Sequence, residues 1–183
     1  ILSNNINLKI PLMSSAMDTV TESKMAIAIS KLGGIGVIHR NLSIERQVME
    51  IKKVKQNNYL VGAAIGVSPV DFERAEELSR VKTDLIVIDT AHGHTQKVLN
   101  MIRKIKKKIR NCTLCAGNIA TGKAAKFLAD SGVDIVKVGI GPGSICTTRL
   151  VAGIGVPQLS AVLDVKKALM NDRTKIISDG GIK

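Results

Sequence analysis

Apolar segments of strand length alternate with amphipathic segments of helix length along the 183 residues, and this alternation restricts the fold more than any other feature. Strands are predicted at 10–17, 34–39, 60–67, 84–89, 113–118, 135–140 and 174–178. Helices are predicted at 22–31, 44–56, 70–80, 96–109, 122–131 and 161–170. Such alternation indicates right-handed βαβ units around a parallel sheet, either in a closed barrel or in an open doubly wound arrangement.

Polar or glycine residues stand at the end of nearly every predicted strand, and their distribution separates these two arrangements. An open sheet concentrates its site at one switch point, whereas a barrel gathers residues from the whole ring at the carboxyl ends of its strands. The sequence therefore predicts an α/β fold of the TIM (β/α)8 class. Because about seven strands are predicted, we expect residues 1–183 to form a partial barrel domain that is inactive alone.

The aromatic content and the net charge of the chain limit which classes of partner it can bind. The chain has one Tyr, two Phe and no Trp, which argues against single-stranded nucleic acid, because bases stack on aromatic rings. The formal net charge is +12, with basic runs at 52–55 and 103–110. Ile102, Ile105 and Ile109 recur at helical spacing, so the second run is predicted to be the solvated face of a helix, with a patch that binds anions or nucleic acid as the alternative. A basic balance also favours phosphorylated small substrates.

Three cysteines form an odd, sparse set that is typical of a reducing compartment. With no signal peptide and no apolar run of membrane-spanning length, a cytoplasmic protein without a membrane partner is expected. Cys112 and Cys115 have metal-site spacing, but residues three apart on a strand point to opposite faces. Without a second pair, they are predicted to be buried structural thiols.

The segment 139–149, Gly-Ile-Gly-Pro-Gly-Ser-Ile-Cys-Thr-Thr-Arg, follows the sixth predicted strand and is called the cysteine loop here. Main-chain amides at Gly143 and Ser144 could hold a phosphate, and carbonyls of the turn could coordinate a monovalent cation. Cys146, beside exposed amides and Arg149, could act as a nucleophile toward an electrophilic ring carbon. The spacing matches neither a Walker loop nor a dinucleotide fingerprint. A plain turn with a chance cysteine is the alternative.

Three other strand ends carry candidate residues. Asp179 could accept hydrogen bonds from ribose hydroxyls while the two following glycines admit a phosphate, or it could merely cap a turn. Asp89 could contact a ribose or nicotinamide, or join His92 and His94 at a zinc ion. The first reading is favoured because the other strand ends offer no matching ligand cluster. Met17 could pack on a flat base and Ser15 could donate to it, although a core methionine and a helix start are the alternative.

Six segments of the chain, taken together and in order, resemble the IMP dehydrogenase / GMP reductase family. The resemblance covers essentially the whole chain, and the cysteine loop is highly specific to that family. The first and third segments look like the dehydrogenase rather than the reductase. The segments are 14–22, 33–39, 89–94, 139–149, 151–158 and 179–181.

The resemblance implies NAD-dependent oxidation of IMP to XMP through a covalent thioimidate, in guanine nucleotide synthesis, with NAD and a potassium ion as cofactors. It also implies a homotetramer in the complete protein. The implied catalytic residues are Cys146 and Thr148. The implied substrate-binding residues are Ser15, Met17, Asn118, Ser144, Asp179, Gly180 and Gly181. The implied cofactor-binding residues are Asp89, Gly139, Ile140 and Gly141. The implied cation ligands are the carbonyls of Gly141, Gly143 and Cys146.

The chain departs from the family pattern in several places. Family members carry a mobile flap with an Arg-Tyr pair, a second phosphate-binding strand end and a C-terminal segment that completes the cation site, and these would lie beyond Lys183. Regulatory CBS modules usually follow the second helix, and the insert expected near 56–60 is absent. GMP reductase, which deaminates GMP with NADPH, remains the alternative activity. A non-catalytic nucleotide-binding fragment is a further alternative.

Overall fold

The computed structural model describes residues 1–3, 5–110, 112–144, 146 and 148–182, with the side chain of Thr148 outside the description. The strands are β1 Met13–Ser14, β2 Ile35–Ile38, β3 Val61–Ile65, β4 Leu85–Asp89, β5 Thr113–Ile119, β6 Ile135–Val138 and β7 Lys175–Ser178. The helices are α1 Ser23–Lys31, α2 Ile44–Lys55, α3 Pro69–Arg80, α4 Gln96–Lys108, α5 Gly122–Asp130, α6 Thr148–Ala152 and α7 Gln158–Ala168.

The strands form one sheet in the order β1-β2-β3-β4-β5-β6-β7, with parallel registers such as Met13 opposite Ile35 and Ile135 opposite Lys175. Every residue of β2 and β3 is buried, as expected for parallel strands covered by helices. The predicted α/β fold is confirmed: seven parallel strands alternate with helices in the architecture of a partial TIM barrel.

The chain divides into two compact units. The first comprises Ile1–Ile88 and Lys104–Leu114, and the second comprises Asp89–Arg103 and Cys115–Lys183. Both draw their core from aliphatic side chains, with Ile51 and Leu78 fully buried in the first unit and Leu128 and Val165 in the second. Burial of such side chains supplies the main stabilisation, about 25 cal/mol per Å² of apolar surface.

Side-chain caps fix where several helices begin. The Ser43 hydroxyl accepts from the Arg46 amide at the start of α2, and the Thr121 hydroxyl accepts from the Ala124 amide at the start of α5. Ser68 and Asp71 form a reciprocal capping box on α3, with Pro69 in the first turn. These bonds satisfy amides that a helix leaves unpaired, so each beginning is encoded locally.

The first unit also contains a buried polar network behind the ends of β2 and β3. Nε2 of Gln47 lies 2.9 Å from the carbonyl oxygen of Ala64 and 3.0 Å from that of His39. Nη1 of Arg74 donates to Oε1 of Gln47 over 2.8 Å. Asp71 accepts from the Gly66 amide at 2.9 Å, so these side chains hold strand ends and helix starts together.

The structure differs from the predicted elements in three places. The first strand was predicted at 10–17, but only Met13–Ser14 pairs with β2. The backbone turns before it, where the Leu12 amide donates to the Ile10 carbonyl oxygen. The last helix begins at Gln158 rather than Ala161, directly after Pro157. The five-residue helix α6 at the end of the cysteine loop was not predicted. The junction after α2 continues through Asn58, whose φ is 57°. The assignment of residues 1–183 to a catalytic domain that lacks the regulatory insert stays a prediction.

Basic residues of α4 face solvent as predicted, since Ile102, Ile105 and Ile109 are buried. The Nζ atom of Lys104 also lies 3.8 Å from the centroid of the Phe72 ring, where a cation–π contact stabilises it. Within the described residues, no helix is both long and apolar enough to cross a membrane.

Candidate functional site

The carboxyl ends of β4 to β7 in the second unit bring together several predicted site residues. Asp89 ends β4, Asn118 lies near the end of β5, Gly139 follows β6 and Asp179 follows β7. Nδ2 of Asn118 is 2.7 Å from the Gly139 carbonyl oxygen and 2.7 Å from Oδ2 of Asp179. Parallel strands place their carboxyl ends at one edge, which explains this convergence of residues that are distant in sequence.

Lys137 lies between the two carboxylates of this edge, and it was not among the residues predicted from the sequence. Its Nζ atom is 2.8 Å from Oδ1 of Asp89 and 2.9 Å from Oδ2 of Asp179. The Lys137 side chain is 14% exposed, against 30% for Asp89 and 33% for Asp179. The signal was present, because Lys137 is a charged residue inside the otherwise apolar strand Ile-Val-Lys-Val.

The electrostatics of this cluster keep Lys137 charged. Burial alone lowers the pKa of a lysine, but the attraction of Asp89 and Asp179 outweighs it and raises the pKa of Lys137 above its ordinary value. Lys137 is therefore a permanent cation between two acidic side chains at neutral pH.

Asn118 carries an unused acceptor. Its Oδ1 is buried and has no hydrogen-bond partner among the described residues, while its Nδ2 makes both bonds described above. A buried polar atom without a partner costs free energy, about 1–3 kcal/mol in proteins, unless water or a ligand supplies a donor. The acceptor capacity of this amide oxygen is therefore unmet among the described residues.

The segment after β7 packs against the cysteine loop. Gly180 and Gly181 have φ values of 73° and 72°, which residues with a side chain rarely adopt. A Cβ atom on Gly181 would lie 2.7 Å from Cβ of Pro142, and one on Gly180 would lie 3.9 Å from the Gly143 amide nitrogen. The segment 179–181 and the cysteine loop, which were predicted as separate motifs, therefore contact each other. Gly180 and Gly181 permit this close approach because they have no side chain.

A buried glutamine fixes the backbone of this edge. Nε2 of Gln158 lies 2.7 Å from the Val138 carbonyl oxygen and 2.8 Å from the Ser178 hydroxyl, joining β6 to β7. The Asp179 amide donates to the same Val138 oxygen over 2.8 Å. The start of α7 therefore positions the strand ends that carry Gly139 and Asp179. The sequence analysis missed Gln158 because it placed the beginning of this helix three residues later.

Cys146 is half-buried in the cysteine loop, and its amide donates to the Gly143 carbonyl oxygen over 3.2 Å. Nη2 of the exposed Arg149 donates to the same oxygen over 3.3 Å. Ser144 is exposed, and Thr148 begins α6 with its side chain outside the described part. Gly141 is buried with a φ of 68°.

Cys115 differs from Cys146 in its surroundings. It is fully buried in β5, and burial raises the pKa of its thiol to about 12. The thiolate is the reactive form of cysteine, so Cys115 is inert at neutral pH. The prediction of a buried thiol is confirmed for Cys115, whereas Cys112 is half-buried.

The residues predicted at the end of β1 belong to the first unit. Ser15 and Met17 are exposed, and Met17 does not join the core. The Thr21 hydroxyl is 2.6 Å from the Ser15 carbonyl oxygen, and the amides of Val20 and Thr21 donate to the Met17 carbonyl. The backbone at this strand end is fixed while both side chains face outward.

A zinc ion held by Asp89, His92 and His94 was the alternative prediction for this segment, and the described residues do not provide a set of ligands for it. His94 stacks against Phe127 with ring centroids 4.6 Å apart. Among the described residues, no group of three or more His, Cys, Asp or Glu side chains could hold a metal ion.

These features define a parallel α/β domain of the TIM-barrel class, with polar residues clustered at the carboxyl ends of its strands and a cysteine loop beside them. The family model described as the IMP dehydrogenase / GMP reductase domain matches residues 1–183, and the chain belongs to that family.

Curated relatives carry the same family name. The chain is 45% identical to inosine-5′-monophosphate dehydrogenase of Borreliella burgdorferi, over all of this chain and 57% of that protein. It is 41% identical to the protein of that name from Cryptosporidium parvum, over all of this chain and 56% of that protein. Identity is 34% with the Streptococcus pyogenes serotype M3 protein of the same name, over 63% of its length. The chain thus spans roughly three fifths of these relatives.

Proposed function

We propose that this chain forms part of an enzyme that oxidises IMP to XMP with NAD, in guanine nucleotide synthesis. The observation that carries the proposal is the packing of the Asp179–Gly181 segment against Pro142 and Gly143 of the cysteine loop. A ribose-binding carboxylate and a reactive thiol then lie on adjoining segments, as a nucleotide substrate requires. Membership of the IMP dehydrogenase / GMP reductase domain family supports the substrate class.

The substrate-binding roles follow from chemistry. The Asp179 carboxylate accepts from ribose hydroxyls, and the Ser144 hydroxyl with the Gly180 and Gly181 amides contacts the phosphate. Asn118 would line the base side, because its side chain is bonded to the Asp179 carboxylate. The exposed Met17 and Ser15 would contact the base, the first by packing on its flat face and the second by a hydrogen bond.

The reaction centres on Cys146. Its thiolate adds to C2 of the hypoxanthine ring, and the C2 hydrogen then leaves with its electron pair as a hydride. NAD, when bound, accepts that hydride. Water then displaces the sulfur from the resulting thioimidate, which gives XMP and regenerates the thiol, with Thr148 assisting. Covalent attachment divides one difficult substitution into two easier steps.

The residues proposed to hold NAD are Asp89 and Gly139 to Gly141. Asp89 is about one third exposed, so its carboxylate can accept from a ribose. Gly139 has a φ of 154°, and a Cβ atom there would lie 2.3 Å from the Asp179 carbonyl oxygen. The absence of a side chain therefore lets the Asp179 backbone pack against Gly139, which brings the proposed cofactor segment beside the proposed substrate carboxylate.

A potassium ion would be held by carbonyl oxygens of Gly141, Gly143 and Cys146. The Gly143 oxygen already accepts from the Cys146 amide and from Arg149. A cation could bind there only if the exposed Arg149 side chain moved away. Once bound, it would hold the cysteine loop in shape, and we assign it no chemical step.

The complete protein is proposed to be a cytoplasmic homotetramer that binds IMP and NAD. The sparse cysteines support a reducing compartment. The scarce aromatic residues argue against nucleic acid as a partner.

The proposal is tested by assaying the natural full-length protein with IMP plus NAD and, separately, with GMP plus NADPH. We expect NADH and XMP in the first assay and no reaction in the second. A GMP reductase would give the opposite result, with reaction only in the second assay. Cys146→Ala should lower turnover by about 1,000-fold or more while IMP still binds.

Cys112→Ala provides the matched control, because it removes a half-buried thiol of the first unit. It should keep turnover near that of the unaltered protein. A Cys146→Ala protein that retains turnover would exclude the covalent mechanism. IMP binding without any turnover of the unaltered protein would favour the non-catalytic alternative.

A further inference from the structure

Lys137 is the one side chain in the described second unit that contacts both Asp89 and Asp179. Its Nζ atom makes ion pairs of 2.8 Å with Asp89 and 2.9 Å with Asp179. Asp179 has been assigned above to the substrate ribose, and Asp89 to the cofactor ribose. A single ammonium therefore contacts the two carboxylates that are proposed to bind different ligands.

We propose that Lys137 is a shared positioning residue, which orients the Asp179 carboxylate toward IMP and the Asp89 carboxylate toward NAD and so supports the binding of both. The inference rests on the proposed function. It adds a residue that the family resemblance did not assign, and it predicts that one substitution affects two affinities.

The contacts of each carboxylate support a positioning role. Among the described residues, the side-chain contacts of Asp179 with Lys137 and Asn118 both end on Oδ2, and the contact of Asp89 with Lys137 ends on Oδ1. One oxygen of each acid is thus held by the protein and the other remains available to a ligand. A carboxylate has four lone-pair directions, so holding one oxygen fixes the direction of the other.

The surroundings restrict where the ammonium can lie. Lys137 is largely buried, and a Cβ atom on Gly117 would lie 2.7 Å from Cβ of Lys137 and 2.6 Å from its carbonyl oxygen. The lysine therefore emerges directly over the backbone of β5. The charged end of Lys137 lies between the ends of β4 and β7, where it contacts Asp89 and Asp179. These contacts hold the long, flexible lysine side chain in one direction.

A second lysine provides a comparison within the same unit. Nζ of Lys126 also contacts two acids, Asp130 at 2.6 Å and Asp172 at 3.6 Å, but its side chain is exposed. Lys126→Met removes a lysine with the same kind of partners at a distance from the proposed site. Exposed ion pairs contribute little, so we expect no change in ligand affinity.

The experiment measures ligand affinity without turnover, in the Cys146→Ala background of the natural full-length protein. Calorimetry gives the dissociation constant of IMP, and then that of NAD in the presence of IMP. Lys137→Met should raise both constants by roughly tenfold or more, which corresponds to at least about 1.4 kcal/mol for each ligand. Asp179→Asn should raise chiefly the IMP constant, and Asp89→Asn chiefly the NAD constant.

Rescue separates positioning from a structural role. Lys137→Arg keeps a cation that can donate to both carboxylates and should restore both affinities to within roughly threefold, whereas Lys137→Gln should not. Lys126→Met should leave both unchanged. If Lys137→Met does not fold, Lys137→Gln carries the same comparison, with circular dichroism and melting temperature recording the folded fraction.

Two results would overturn the inference. If a folded Lys137→Met or Lys137→Gln protein weakens only one ligand, or neither, Lys137 does not serve both carboxylates. In that case normal IMP oxidation by the unaltered protein would leave the proposed function standing. If the unaltered protein neither binds nor oxidises IMP, the proposed function fails and this inference fails with it.

Discussion

Charged and polar side chains cluster at strand ends in both units, but the acidic oxygens of the two clusters have different contacts. In the first unit, Arg74 donates to Gln47, and Asp71 accepts from the amides of Gly66 and Ser68; this is called the Arg74 cluster. In the second unit, Lys137 joins Asp89 and Asp179; this is called the Lys137 cluster.

The difference lies in what the acidic oxygens contact. Both oxygens of Asp71 accept from main-chain amides, and its side chain is 13% exposed. Asp89 and Asp179 contact side chains, and each is about one third exposed. Burial of charge at a strand end therefore does not by itself identify a binding site. A site is indicated where a carboxylate is held through one oxygen and its side chain remains partly exposed.

The largest effect that we expect from this comparison is in the Arg74 cluster, where a substitution should lower the free energy of unfolding without weakening IMP binding. Arg74→Met removes the partner of Gln47 and the Arg74 ion pair of Asp71. Removing one member of a buried charged network costs about 3–5 kcal/mol. Urea unfolding should show that decrease, while calorimetry on the folded protein gives an unchanged IMP dissociation constant. A weakened IMP affinity in folded Arg74→Met would erase the distinction between the two clusters.

The next effect compares two acids directly. Burial favours protonated Asp71, but hydrogen bonds from Ser68 and Gly66 outweigh it and lower the pKa of Asp71. The stability that ionised Asp71 supplies is therefore present above the pKa of the unfolded chain and is lost as the pH falls through the folded value. Asp71→Asn should lower the unfolding free energy at pH 7 by about 2 kcal/mol, and Asp179→Asn by less than about 1 kcal/mol. Equal losses in urea titrations would contradict the comparison.

The smallest effect concerns Glu50, another carboxylate of the first unit that holds backbone. It accepts from the Ser23 amide at 2.8 Å and from Lys53 at 2.5 Å. Although burial opposes ionisation, these bonds lower the pKa of Glu50 from 4.5 to about 2. Glu50→Gln should cost about 1–2 kcal/mol at pH 7.

The effect of Glu50→Gln should diminish as the pH falls from 4.5 toward 2, because the native carboxylate loses its charge over that interval. Urea titrations of both proteins at several pH values measure this. A difference that stays constant down to pH 2 would show that the carboxylate charge is not what stabilises this position.

The sequence predicted the order of strands and helices because burial and capping are local signals. Thr121 precedes α5 and caps it, and β6 was located from its apolar residues. The short helix α6 has no such signal, and its Leu150 and Val151 are exposed. Local pattern could not reveal it, because an apolar helix that faces outward has no amphipathic period to detect.

The candidate site was predicted as separate motifs, and only the fold shows which of them meet. Asp179 and Asn118 are 61 residues apart, yet their side chains are bonded. Lys137 was missed because its role depends on partners from two other strands. A lysine in a buried strand was visible in the sequence, but its partners could be identified only once strand order and register were known.

Gly117 lies directly against the backbone of Lys137 on the neighbouring strand β6, so the size of residue 117 affects the position of that lysine. A methyl group on it would collide with the main chain of Lys137, which cannot rotate aside. Enlarging residue 117 would therefore push β6 outward and draw the ammonium away from both acids without altering any charge.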